Sequence, residues 1–130
     1  MSEENVRSVR ESYATPGALF ATWAGRMAPD VEFDFTAVYP DKPVMNGIEE
    51  LRRFREQGPW EQLRFEPERF LDIDEEHVLV FVTVNATGKG SGVPVELRNA
   101  HEFTIRDGTL VGFKVYGDRA TALEAAGLRE

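Results

Sequence analysis

The sequence has no cysteine and only two histidines, His77 and His101. The missing thiols exclude disulfides, thiolate zinc sites and cysteine nucleophiles, and they suit a reducing cytoplasm. Two histidines exclude a histidine-rich metal site. Basic residues are scarce, 15 against 23 acidic ones, a net charge of −8. A surface of that sign repels phosphate backbones and anionic lipid, so neither a nucleic acid nor a membrane is an expected partner. No apolar run approaches the ~18 residues that would span a bilayer. The opening segment, MSEENVRSVRES, is charged and lacks the apolar stretch of a secretory signal, so a cytoplasmic location is expected.

What is present fits one globular domain over residues 1–130. Hydrophobic residues make up 42%, and the length suffices for a core without staples. Ser2 caps a first helix with Glu3 and Glu4 in its first turn, and Val6, Val9 and Tyr13 recur at helical spacing. Thr15-Pro16 opens a second helix with the stripe Leu19, Phe20, Trp23 and Met27, closed by Pro29-Asp30. VEFDF alternates as a short strand, and residues 36–45 form a loop. Asn46 followed by Glu49 reads as a capping box for a third helix, with Ile48, Leu51 and Phe54 inward. From Leu63 the pattern is β. The first run is interrupted near Pro67, which predicts an edge or a bulge. HVLVFVTVNATG is nearly all apolar, which predicts a central strand buried on both faces.

The stretch VPVELRNAHEFTIR splits cleanly. Val93, Val95, Leu97, Asn99, His101, Phe103 and Ile105 share one face, and the other is mostly charged. Asp107-Gly108 then marks a two-residue hairpin turn. A regular ladder from that turn pairs Ile105 with Leu110, Phe103 with Gly112, His101 with Lys114, Asn99 with Tyr116 and Leu97 with Asp118. It therefore puts Lys114, Tyr116 and Asp118 on the His101 face, and Val111, Phe113 and Val115 on the opposite one. The latter would form an apolar stripe on the outside of the sheet, which predicts a homodimer built on that face.

Three helices and an early strand, four long strands and a short last helix give an α+β fold, a curved antiparallel sheet wrapped as a cone around N-terminal helices. The segments PDVEF, NGIEELRRF, RDGTLVGFKVYGD and DRATALEAAGL, in this order, resemble the SnoaL-like group of the nuclear transport factor 2-like superfamily. The resemblance implies an open cone, a common homodimer and an apolar pocket for a small molecule. Its members include polyketide cyclases, ketosteroid isomerases and limonene epoxide hydrolases, alongside non-catalytic binders.

By its spacing from the Asp-Gly turn, Asp118 matches the aspartate that acts as base in the epoxide hydrolases, and the cyclases use an aspartate near the end of the same strand. Asp118 also stands where a helix N-cap belongs, so base and cap both remain open. The resemblance makes Asp118 the candidate base of a cofactor-independent isomerase or cyclase, with His101, Tyr116 or Asn99 stabilising an enolate oxygen. Lys114 joins the candidate ligand contacts, and Trp23, Phe33, Phe35, Trp60, Leu97 and Phe103 are the expected wall. Tyr39 and Tyr13 are further phenols that no spacing singles out. An epoxide hydrolase is disfavoured: VLVFVTVNATG offers no Arg or Asp, and EFDFT carries Phe33 and Phe35 where that chemistry needs polar groups. The alternative is the same cone as a binding module or a structural dimer without chemistry.

Overall fold

The computed structural model describes residues 2–14, 19–39, 41 and 44–127, the Ser2 side chain excepted. The expected Thr15-Pro16 helix start lies outside these residues. Helix α1 spans Ser2–Ser12, strand β1 Met27–Asp34, β2 Met45–Asn46, helix α2 Ile48–Gln57, β3 Trp60–Asp72, β4 His77–Gly88, β5 Pro94–Arg106, β6 Thr109–Tyr116 and helix α3 Arg119–Ala125. The six strands make one sheet in the order β2-β1-β6-β5-β4-β3. All neighbours are antiparallel except β1 with β6. The architecture is α+β, as the pattern of elements predicts.

β4 matches its expected span and is buried along most of its length. Its inner residues Val78, Val80, Val82 and Val84 join Phe103 and Ile105 of β5 beneath α1 and α2. Its outer residues Leu79 and Phe81 pack with Ala100, Tyr116 and Ala122. Ala122 belongs to α3, so this short helix covers part of the outer face, which the sequence reading left bare. The pairing of β3 with β4 slips between Pro67 and Arg69, the bulge anticipated at the proline.

Two helix expectations are corrected. Leu19, Phe20, Trp23 and Met27 do not lie on a continuous α-helix: Ala21–Trp23 forms a single 3-10 turn and Met27 already begins β1. Gly25, at φ 79°, takes a left-handed conformation that no α-helix admits. Pro29 and Asp30 therefore lie in β1 rather than closing a helix. At α2 the N-cap is Gly47, not Asn46. Asn46, in β2, pairs with Glu32 of β1, and its backbone N–H donates to the Glu50 carboxylate, one residue beyond the expected Glu49 (2.9 Å).

The decisive difference lies in the last hairpin. Asp107 (φ 53°) and Gly108 (φ 78°) form the expected turn, and Ile105 pairs with Leu110. Thr104 then pairs with Gly112, leaving Val111 as an extra residue on β6. Beyond this bulge His101 faces Val115, Glu102 faces Lys114 and Ala100 faces Tyr116. One inserted residue turns every later side chain of β6 to the other face. Phe113 (3% exposed) and Val115 (5%) thus enter the core, and the predicted outer stripe of Val111, Phe113 and Val115 does not exist.

Candidate functional site

The inner face of the sheet, the segment after α1 and helix α2 enclose a cavity of about 890 Å³. Ligand cavities are typically about 300–1,000 Å³, so this one has room for a molecule of several rings. Its wall includes Phe20, Trp23, Phe35, Phe54, Trp60, Phe65, Val84, Leu97, Phe113 and Val115. The rings brace one another edge to face, Phe20 with Phe113 at 5.0 Å and Phe35 with Phe54 at 5.7 Å between centroids. Trp60 Nε1 donates to the Tyr39 hydroxyl, which fixes that indole against α2 through the Tyr39–Phe54 contact.

Two polar side chains of β5, Asn99 and His101, line the cavity and are buried. They are two residues apart on one strand face, about 7 Å along it. Asn99 has no side-chain hydrogen bond among the described residues. His101 Nδ1 lies 2.8 Å from the Tyr13 hydroxyl, its ring meets Phe65 edge-on (5.3 Å), and Phe113 sits at 4.9 Å. Burial pushes the His101 imidazole down to about 3, so it is neutral at physiological pH. Burial also pushes the Tyr13 phenol well above its usual value.

Of the expected wall, Trp23, Phe35, Trp60 and Leu97 line the cavity, with Asn99 and His101. Phe33 and Phe103 are fully buried one layer behind, against Phe113 (6.4 and 5.0 Å). Lys114, Tyr116 and Asp118 are not in the cavity. The bulge puts Lys114 and Tyr116 on the outer face, where the Lys114 ammonium lies 5.1 Å from the Tyr116 ring and 3.9 Å from Asp34. The Tyr116 hydroxyl reaches Glu102 at 3.4 Å. Asp118 is exposed and caps α3: one carboxylate oxygen accepts from the Thr121 amide (2.8 Å) and the other from its hydroxyl (2.9 Å). The amide and hydroxyl of Thr121 hold its carboxyl below the usual aspartate value. A carboxyl so placed is ionised, solvated and turned away from the cavity, the opposite of a base tuned by an apolar site.

Phe20, Phe54, Phe65, Phe113 and Val115 were missed as cavity wall, and Tyr13 was named only as one of several phenols, not tied to His101. Two signals would have found Phe113 and Val115. Gly112, a glycine inside a strand, marks a bulge or a close approach of backbones. The alternation of Val111, Phe113 and Val115 also reads as a core face as readily as an interface. Tyr13 carries no such signal, because its contact with His101 spans 88 residues.

A family model described as SnoaL-like domain matches residues 15–113. Among solved structures, TerC co-crystallised with polyporic acid superposes with a TM-score of 0.71 at 22% identity, covering 95% of this chain and 98% of that one. An NTF2-like protein from Burkholderia xenovorans gives 0.71 at 22%, covering 97% of each chain. An NTF2-like protein of unknown function from Burkholderia pseudomallei gives 0.70 at 23%, covering 92% and 95%. At this identity the likeness concerns the fold. No curated protein matches the sequence.

Proposed function

We propose that this chain, which belongs to the SnoaL-like domain family, acts as a single domain that binds one uncharged, apolar, aromatic-sized molecule inside its cone. The observation that carries this reading is a cavity of about 890 Å³ walled by rings and aliphatic groups, with Asn99 and His101 as its inner polar side chains. Such a wall favours an apolar body, and a few convergent polar groups orient it. The charged residues that line the cavity, Arg52, Arg55 and Glu56, are exposed residues of α2, so an ionic group on the ligand gains little deeper in. TerC, similar in fold, was co-crystallised with polyporic acid, which supports small-molecule binding as the use of such a cone. No helix of the described residues is long and apolar enough to cross a membrane. We include work in the cytoplasm in the proposal because a chain without cysteines suits a reducing compartment.

Binding without chemistry fits better than an isomerase or cyclase. Proton abstraction next to a carbonyl needs a base titrating near the working pH. Asp118 is a solvated cap, and His101 at about 3 is too weak a base at neutral pH. The test is calorimetry and thermal shift with steroids, polyketide-like aromatics and fatty acids, on the wild type and on Val84→Phe, which fills the cavity from its wall. Steroids or aromatics should stabilise the wild type and lose at least roughly tenfold in affinity in the variant, about 1.4 kcal/mol. Absence of binding by all three classes, or binding that Val84→Phe leaves intact, would overturn the reading.

A further inference from the structure

A single proton decides what His101 shows to the cavity. The Tyr13 hydroxyl and His101 Nδ1 are 2.8 Å apart, with the two rings nearly parallel at 6.1 Å. Either the hydroxyl donates to Nδ1 or Nδ1–H donates to the hydroxyl, and a neutral imidazole carries one proton only. In the second arrangement the phenol's own proton needs another acceptor. The described residues offer none: His101 is the one hydrogen-bond partner found for that hydroxyl, and Phe70 and Phe103 meet the Tyr13 ring at 6.0 Å each. Tyr13 as a whole is only partly buried, but its hydroxyl is shielded enough to push the phenol well above its usual value. A shielded, unpartnered O–H loses its hydration with nothing in return. In the first arrangement the proton left without a protein partner is the one on the other imidazole nitrogen, which can meet water or a ligand because His101 lines the cavity.

The imidazole proton then sits on Nε2. That nitrogen has no protein partner among the described residues. It is also not sealed in, since Arg119 Nε is the one enclosed, unpartnered side-chain nitrogen or oxygen found among them. His101 lines the cavity, so Nε2–H is open to a ligand.

We infer that Tyr13 is a positioning residue that holds His101 as a hydrogen-bond donor, so that the cone selects aromatic ligands placing a carbonyl oxygen, of a ketone, quinone or ester, against Nε2. The inference rests on the pocket reading proposed above. A carbonyl oxygen accepts from Nε2–H and brings no proton of its own. A hydroxyl at the same point accepts too, but Phe65 and Phe113 flank His101, and the other polar side chain of β5 in the cavity, Asn99, lies about 7 Å along the strand, so the hydroxyl's own proton has no acceptor beside it. Leaving such a donor unpaired weakens binding by roughly tenfold or more.

Two measurements test it. Long-range ¹H–¹⁵N correlation spectra of the ligand-free protein identify which imidazole nitrogen carries the proton, and they need no ligand. His101 should be the Nε2–H tautomer in the wild type, and Tyr13→Phe should move part of the population to Nδ1–H. An Nδ1–H wild type, or a tautomer unmoved by the variant, overturns the lock. Calorimetry with 9-fluorenone, 9-hydroxyfluorene and fluorene then reads the ligand class. The ketone should bind the wild type roughly tenfold more tightly than the alcohol, and Tyr13→Phe should shrink that ratio to about threefold or less. Equal binding of ketone and alcohol overturns the ligand class while leaving the pocket reading intact. Failure of all three fluorenes to bind counts against the pocket itself and removes the ligand class with it, while the tautomer spectra still decide the lock.

Discussion

Acidifying the protein should cost it stability above the range in which the four carboxylates with lowered values lose theirs, and His101 is the reason. Its folded value, about 3, lies well below the ordinary 6.5 because the ring is buried. The unfolded chain therefore takes up a proton that the folded one refuses. The stability this represents is fully present above pH ~6.5 and is lost as pH falls toward about 3. For these two values the loss attributable to His101 is about 0.2 kcal/mol at pH 7 and about 2 kcal/mol at pH 5. The interval from pH 7 to 5 isolates it. Asp34, Glu68, Asp74 and Asp118 have lowered values, so their contributions persist until the unfolded carboxylates protonate, near pH 4.5 and below. Urea unfolding followed by the fluorescence of Trp23 and Trp60, in a His77→Gln background that removes the other imidazole, measures the slope. The background protein should lose about 2 kcal/mol between pH 7 and 5. Adding His101→Gln, whose carboxamide still offers Tyr13 an acceptor, should flatten the curve. Equal slopes with and without His101, or no slope in the background protein, would refute the picture of a neutral imidazole buried in the wall.

Asp118→Asn should leave stability within about 1 kcal/mol, since asparagine caps equally well, and Asp118→Ala should cost about 1 kcal/mol. Neither should change ligand affinity by calorimetry, because the cap lies outside the cavity. Phe113→Glu should cost more than about 3 kcal/mol in a urea melt, since it buries an unpaired carboxylate among Phe20, Phe33 and Phe103. A folded Phe113→Glu protein of near wild-type stability would mean that this residue faces solvent.

The strands and the turn were legible because period-two patterning and Asp-Gly chemistry act locally. β4 was readable from one nearly all-apolar run, and the Pro67 bulge from a missing amide donor. The facing of β6 was not legible by the same means. A regular ladder propagates from a turn by counting, and one unpaired residue at Val111 reverses every assignment after it. Asn99 and His101 were placed correctly because they share a strand with the apolar residues that define its inner face. Lys114, Tyr116 and Asp118 were misplaced because their face was inferred across the hairpin. The segment 19–27 failed differently: the spacing of Leu19, Trp23 and Met27 mimics a helix, while Gly25 forbids one.

The bulge also sets the chemistry of the site, and one substitution can test that. Beyond Val111 the inward residues of β6 are Phe113 and Val115, so the strand end on which the resemblance led us to expect an inward aspartate presents a valine. Val115 is paired directly with His101, and paired side chains on one face have Cβ atoms about 5 Å apart. Val115→Asp would place a carboxylate within reach of the imidazole in the same apolar wall. Desolvation alone would keep both groups neutral, whereas their mutual attraction favours the imidazolium–carboxylate pair. The His101 value should therefore rise from about 3, by an amount read in an NMR titration of the imidazole carbons. Stability at pH 7 should fall, since an aliphatic side chain gives way to a polar one at a position only 5% exposed. A carboxylate on the outer face would leave the His101 titration where it was and cost little stability. That result would restore the regular ladder, return Phe113 and Val115 to the surface, and reopen the place of Asp118 at the mouth of the cone.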